Sequence, residues 1–322
     1  MTSRRVGVLM GGWGEEREIS LKTGEAIAAA LETHGHQVSR IDAGPGLDQK
    51  LRAANIEVAF LALHGRMGED GKVQGLLEVM GIPYTGSGVL ASALAMNKTF
   101  AKKLFRQHNL ATPTGYTVDA SQVAMVNELH CDLGFPCVVK PASGGSSVGL
   151  SLVQRAEELE AAVAHACRYG GEALVERYVK GREVTVAILG GEVLGSCEIA
   201  APGATFDFAT KYEGGAKYHL PPRISPTRLA NIEAMALTAW RALGCRGAAR
   251  IDFLCPDVGN EVLLEVNTLP GMTPTSLLPK IAKAKGLTFE QLCEKVLSLA
   301  VLESVDVLPA PVATRPMELR VG

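Results

Sequence analysis

Two short apolar runs constrain this chain most: residues 6–10, "VGVLM", and residues 58–63, "VAFLAL". Each stops at a polar stretch rich in glycine, "GGWGEERE" (11–18) and "HGRMGEDG" (64–71). A strand without a polar face is buried on both sides, as in a parallel sheet covered by helices. The intervening sequence fits that demand. It has helical spacing over about residues 20–34, a stop at Gly35 and a return strand ending at Ile41, and "VQGLLEVMG" after the second run reads as a further helix. Strands alternating with helices predict a parallel, doubly wound α/β sheet over residues 1–95, with its ligand site outside the strand carboxyl ends. Those ends are the two glycine-rich stretches.

A second unit is expected over residues 96–180. It opens with the helix "NKTFAKKLFRQHN" and, beyond the breaker "ATPTG" and another helix, reaches "GFPCVVKPASGGSSVGLSLV", a strand, a loop and a strand. Lys140 ends the first strand. The loop holds Gly144, Gly145, Ser146, Ser147 and Gly149, whose small side chains leave backbone N–H groups able to face an anion. Taken alone, this segment is either a phosphate cradle or a flexible hairpin connection. A third unit, residues 181–303, contains the hairpin "REVTVAILGGEVLGSCEIA" turned at Gly190-Gly191, and a polar and aromatic loop at 203–220. Loops of that length in compact domains are usually lids or binding loops. The helices "TRLANIEAMALTAWRALG" and "TFEQLCEKVLSLAVLE" follow, and residues 304–322, rich in proline, read as a loosely held tail.

Composition narrows the choice of ligand. The 322 residues, 47% hydrophobic, suffice for two or three units with sizeable cores. A net charge of -2 gives nucleic acid or an anionic membrane nothing to recognise, so small-molecule chemistry is the better expectation. The first apolar run is too short for a signal-peptide core, and no run approaches the ~20 residues of a membrane span. The 7 cysteines are scattered and contain no CxxC pair, which reads as reduced core residues in a cytoplasmic protein.

The most informative segment is "ARIDFLCPDVGNEVLLEVNTLPGMT" (249–273). Alternation puts Arg250, Asp252 and Leu254 on one face of the first strand, and Leu263, Glu265 and Asn267 on one face of the second. A four-residue loop between Pro256 and Glu261 would pair 254 with 263, 252 with 265 and 250 with 267. Two carboxylates then stand opposed at roughly 5 Å between Cβ atoms, which destabilises the pair unless a cation compensates. With only oxygen ligands in Asp252, Glu265 and Asn267, a Mg²⁺ or Mn²⁺ ion is favoured over zinc. Arg250 would add a fixed charge for an oxyanion. The bland alternative is a solvated hairpin face with ordinary charges.

At this point the sequence resembles a known family. "VVKP", "GGSSVG", "LVERYVKGREVTVAILG", "ARID" and "LLEVNTLPGMT" together resemble the ATP-grasp ligases. Adding "GGWGEEREIS", "LALHGRMGEDGKVQGLLEVMGIPYTGSG" and "ALAMNK", the chain is similar to the D-alanine–D-alanine ligases over about residues 5–302. The resemblance implies a three-domain fold in which two α+β subdomains follow the parallel domain. It implies that Lys98 and Lys140 hold the phosphates of ATP, that residues 176–179, including Glu176, Arg177 and Val179, read adenine, and that Glu183 takes the ribose. Ser146 and Ser147 lie in the phosphate loop. Asp252, Glu265 and Asn267 resemble the ligands of two magnesium ions.

The same resemblance gives Glu16 the ammonium of the first D-alanine, with Ser146 as its positioning partner, and places His64 nearby, although a lone histidine is more often a structural hydrogen-bonder. Arg250 and the Gly271 N–H resemble an oxyanion hole, and Ser276 with Leu277 the carboxylate seat of the second D-alanine. Lys211 and Tyr212 resemble the lid, where tyrosine goes with dipeptide rather than D-alanyl-D-lactate synthesis.

Two stretches depart from the family pattern. Residues 208–210 lack the expected tyrosine and acidic residue, and the phosphate loop lacks an acidic residue before its Gly-Ser-Ser. The implied activity is ATP-dependent ligation of two D-alanines through a D-alanyl phosphate, for peptidoglycan precursor synthesis, by a cytoplasmic homodimer. D-alanine–D-lactate ligation, another carboxylate–amine ligation, a silent nucleotide-binding module and a metal-dependent hydrolase are the alternatives.

Overall fold

The computed structural model describes residues 3–14, 16–145, 148–200 and 217–303. Strands β1 (Arg5–Met10), β2 (Gln37–Asp42) and β3 (Val58–Leu61) form a parallel sheet in the order β2-β1-β3. Side-chain alternation splits their apolar residues between two cores. Val6, Val8, Met10, Val58 and Phe60 pack toward Ile27 and Leu31 of α1 (Arg17–Thr33). Leu9, Ile41, Ala59 and Leu61 pack toward Leu47 and Leu51 of α2 (Leu47–Ala54) and Val73 and Leu77 of α3 (Lys72–Met80).

The sheet is therefore doubly wound, as the unbroken apolar runs require. Helix α1 starts at Arg17, three residues before the expected position, because Arg17 is anchored to the end of β2: its Nη1 and Nη2 reach the two Asp42 carboxylate oxygens at 2.8 and 2.7 Å. Helix α2 was not legible in advance. Its stretch offers only Leu47 and Leu51 for burial, too few to show a period.

Helices α4 (Val89–Met96) and α5 (Lys98–Gln107) lead into an antiparallel sheet of β4 (Gly115–Asp119), β5 (Cys137–Pro141), β6 (Ser151–Val153) and β7 (Glu172–Arg177), in the order β4-β7-β5-β6. The Asn97 side chain caps α5 by accepting the Phe100 N–H. Helices α6 (Val126–His130) and α7 (Ala156–Cys167) close the core of this sheet around Val118, Val139 and Val175.

A second antiparallel sheet contains β8 (Arg182–Leu189), β9 (Glu192–Ala200), β10 (Lys217–His219), β11 (Ala248–Cys255) and β12 (Val262–Asn267), ordered β10-β9-β8-β11-β12. Gly190 and Gly191 turn the β8-β9 hairpin with φ of 62° and 87°, the two positive values of the expected tight turn. Residues 201–216, most of the expected lid loop, lie outside the described residues. The end of that loop is not irregular: Lys217–His219 add to the sheet edge, with Lys217 opposite Ala200.

The β11-β12 register departs from expectation at one place. Arg250 pairs with Asn267 and Asp252 with Glu265, as anticipated, but Phe253 pairs with Leu263 and Leu254 with Val262. A bulge absorbs Leu264 as the extra residue, so Leu263 turns into the core beside Phe253 while Glu265 keeps its place opposite Asp252. Leu263 and Glu265 consequently do not share a face. Without the bulge, strict alternation would have put a leucine in the polar face or a glutamate in the core.

Helix α8 (Pro226–Ala242) covers one face of this sheet with Ile232, Ala236 and Ala239. The other face and the first sheet share a core with α9 (Leu277–Ala284) and α10 (Phe289–Ser298), through Leu278, Ile281, Leu292 and Val296. Helix α9 is masked in the sequence by Pro279, which reads as a breaker. At the third helical position it falls in the first turn, where N–H groups lack intrahelical partners anyway. The cysteines are all free and buried, except that Cys131 is exposed, against the reading of all seven as core.

The last described residues return to the first unit. The Val301 N–H donates to the Tyr84 carbonyl at 3.2 Å. His36 Nδ1 accepts the Arg4 N–H at 3.1 Å, which leaves Nε2 to carry the proton toward buried Glu294 at 2.8 Å. Replacing Glu294 with alanine strands that imidazole N–H, and a loss of about 1–3 kcal/mol is expected in urea unfolding. An unchanged midpoint would show that the contact contributes nothing.

Candidate functional site

One cavity of about 800 Å³ opens where the three sheets meet. The first sheet contributes Glu16, at the start of α1, and His64, beyond β3, both at strand carboxyl ends. Helix α5 contributes its first residue, Lys98; β5 contributes Lys140; β7 contributes Glu176 and its last residue, Arg177; and the linker after β7 contributes Val179. From the last sheet come Glu183, Asp252 and Glu265. All these sequence-nominated residues line the same cavity. Val138, Leu150, Ile199, Leu254 and Leu264 supply an apolar wall between them.

Arg250, Asn267, Gly271, Ser276 and Leu277 do not line it. Arg250 and Asn267 instead fasten Asp252. Its Oδ1 accepts from Arg250 Nε at 3.0 Å and Thr185 Oγ1 at 2.6 Å, and its Oδ2 from Arg250 Nη2 at 2.9 Å and Asn267 Nδ2 at 3.1 Å. Burial alone would lower the Arg250 guanidinium, but Asp252, Glu265 and Glu183 outweigh it and hold the group above its ordinary value.

Gly271 and Ser276 do come together, in the turn that opens α9. A Cβ added at Gly271 would stand 3.0 Å from Ser276 Oγ, which accepts the Thr273 N–H at 3.2 Å. Ser276 is the extended residue that precedes the helix, so the first N–H groups of α9 start beside it. Ser146, Ser147, Lys211 and Tyr212 lie outside the described residues.

The polar wall alternates in charge. Glu176 is buried and paired on both oxygens, with Lys102 Nζ at 2.7 Å and Lys140 Nζ at 2.8 Å. Lys98 Nζ stands 3.5 Å from Glu265 and also donates to the Gly144 carbonyl. Burial would raise the Glu176 carboxyl, yet Lys140 and Lys102 hold it below its ordinary value. Lys102 was not singled out from sequence. Its four-residue spacing from Lys98 on a helix was the available signal.

Glu69 was also passed over. It is buried, and its Oε2 accepts the Gly65 N–H at 2.6 Å. Burial, with the Glu16 charge, pushes its carboxyl up to about 8, so it carries a proton at neutral pH. Gly65 has φ of 66°, a left-handed conformation that favours glycine, and a Cβ there would come within 2.5 Å of Glu16 Oε2 and displace that carboxylate. The signal was an acidic residue inside a glycine-rich loop.

The donor set suits a hard cation. Asp252 and Glu265 are opposed across adjacent strands, and with Asn267 donating through Nδ2 its amide oxygen remains the atom a cation would take. Among the described residues no three His, Cys, Asp or Glu side chains gather as a metal cage. An ion held here would complete its shell from a substrate, the usual arrangement for magnesium on phosphates.

Two antiparallel sheets gripping a lysine-lined cavity, joined to a parallel domain, define an ATP-grasp enzyme. The model of the D-ala D-ala ligase C-terminus matches residues 107–298, and that of the N-terminus residues 41–87. A D-alanine–D-alanine ligase from Anaeromyxobacter sp. (strain Fw109-5) is 49% identical over 304 residues, covering 94% of this chain and 99% of that one. The crystal structure of the Bacillus anthracis ligase complexed with ATP superposes with a TM-score of 0.81 at 33% identity, covering 92% of this chain and 97% of that one. That of the VanG D-Ala:D-Ser ligase from Enterococcus faecalis gives 0.80 at 30% identity, over 92% and 99%. The chain belongs to the D-alanine–D-alanine ligase family.

His64 provides a pH-dependent prediction. Burial, then the Arg250 charge, lowers its imidazole from 6.5 to about 4, and its Nε2 lies 3.3 Å from Thr23 Oγ1. The unfolded chain takes up this proton first. The stability from burying neutral His64 is thus fully present above pH 6.5 and is lost as the pH falls toward 4. Thermal melts across that window should fall more steeply for the wild type than for His64→Asn; parallel curves would refute the assignment.

Proposed function

We propose that this protein joins two molecules of D-alanine into D-alanyl-D-alanine, a peptidoglycan precursor, with conversion of ATP to ADP and phosphate. The observation that carries the reading is the meeting in one cavity of Lys98, Lys140, Glu176 and Glu16, drawn from separate parts of the chain. Units spanning residues 1–95, 96–180 and 181–303 are part of the proposal, supported by the three separate sheets. So are a cytoplasmic location and a homodimer. Among the described residues no helix is long and apolar enough to cross a membrane.

In this reading the adenine lies against the apolar wall, with its edge on residues 176–179 and its ribose on Glu183. Lys98 and Lys140 face the phosphates, with Ser146 and Ser147 in the adjoining loop. Glu16 receives the ammonium of the first D-alanine, with His64 beside it. That substrate's carboxylate oxygen attacks the γ-phosphorus, the bond to ADP breaks, and an acylphosphate forms. Positioning and charge supply most of the acceleration, because such transfers are largely loose.

The second D-alanine is seated by its carboxylate at the start of α9, where Ser276 and the Leu277 N–H meet an anion at a helix N-terminus. Its amine, as the free base, attacks the acyl carbon. Arg250 and the Gly271 N–H stabilise the resulting oxyanion, and phosphate departs with the electrons of the broken C–O bond and takes up the proton that the attacking nitrogen sheds. The reading also assigns Lys211 and Tyr212 the task of keeping water from the acylphosphate. Mg²⁺ or Mn²⁺, in two ions held by Asp252, Glu265 and Asn267, would neutralise phosphate charge.

The likeness to a D-Ala:D-Ser ligase makes the second substrate the point to test. Phosphate release from Mg-ATP should require D-alanine, and with D-lactate or D-serine added the dipeptide should remain the main product by mass. A depsipeptide or D-alanyl-D-serine as the main product would overturn the specificity, and release independent of D-alanine would overturn the ligase reading. Glu265→Ala should lower kcat by about a thousandfold, several kcal/mol of lost charge stabilisation, with the fold retained by circular dichroism. Near-normal turnover would remove Glu265 from the metal set.

A further inference from the structure

Lys102 belongs to none of the roles above, yet it is among the most deeply buried side chains, at 1% exposure. A lysine is rarely so enclosed unless it is paired. Its partner is Glu176, whose other oxygen holds Lys140. Lys140 is on the cavity wall, and Lys102 is behind it. One carboxylate charge is therefore divided between two lysines, and only one of them can reach a ligand.

We propose that Lys102 is a positioning residue for the nucleotide: by neutralising Glu176 from behind, it leaves the charge of Lys140 available to the ATP phosphates. The inference rests on Lys140 facing the nucleotide. Glu176 carries one negative charge and the two lysines carry two positive ones, so the trio has a surplus of one, which is delivered at Lys140. Without Lys102, Lys140 alone must neutralise a buried carboxylate and is held back from phosphate. An uncompensated buried charge is expensive, so that pairing would dominate.

Two further observations agree. Burial draws the Lys102 ammonium down to about 8, which leaves it charged at neutral pH, whereas Lys140, buried as well, is held above its ordinary value by Glu176 and Glu265. Lys102 also lies one turn beyond Lys98 on α5, so one helix supplies a cation to the cavity and a cation behind it.

A double-mutant cycle tests this, with equilibrium calorimetry of Mg-ATP in the absence of D-alanine as the readout, alongside KM and kcat. Lys102→Met should weaken ATP by about tenfold or more when residue 176 is Glu, and by less than about threefold in the Glu176→Gln background, which has no charge to divide. KM for ATP should follow, while kcat and KM for D-alanine move less. If the lysine only fills space, its loss costs the same in both backgrounds, and that additivity would overturn the proposal, as would unchanged ATP binding. Should Lys102→Met not fold, Lys102→Gln takes its place, since it also removes the charge. Wild-type protein that binds no ATP would count instead against the ligase reading.

Discussion

Opposed carboxylates on adjacent buried strands are unfavourable, and Asp252 and Glu265 hold that position only because cations are interleaved with them. Arg250 grips one and Lys98 stands near the other; behind them Glu176 is flanked by Lys140 and Lys102. This alternation ties α5 and the two antiparallel sheets into one electrostatic unit. The strands around it supply the low-polarity surroundings that make each charge strong and each unpaired charge costly. Phosphoryl transfer needs such a setting, because it is governed by charge held in place rather than by covalent chemistry from the protein.

Much of this was legible where a residue's surroundings are fixed by local pattern. Apolar runs without a polar face announced the parallel sheet and Gly190-Gly191 a tight hairpin, and Asp252 does oppose Glu265 as anticipated, although the pairing next to the loop is shifted by one and the bulge restores it. Less legible was anything that depends on a partner distant in sequence. The Leu264 bulge is invisible to alternation because it exists to keep Leu263 in the core and Glu265 in the site together. The α9 helix hid behind Pro279, and α2 behind a shortage of apolar residues.

Site residues divide in the same way. Those at strand ends and in glycine-rich loops, such as Glu16, His64 and Lys140, were nominated, and they line the cavity. Glu69 and Lys102 were not, since an acidic loop residue and a helical lysine normally sit in water, and only tertiary burial changes their character. Gly271, Ser276 and Leu277 were nominated together with the cavity residues, but they occupy the turn at the head of α9.

The return of the last described residues to the first sheet bears on how that sheet is held in place. Residues of α9 and α10 join those of β1, β3 and α1 in one core, and His36 meets Glu294 across 258 positions of sequence. A segment far along the sequence therefore completes a core that β1, β3 and α1 begin. The parallel sheet is continuous in its topology, but its stability is shared with helices distant in sequence, and contacts of such separation make folding slower.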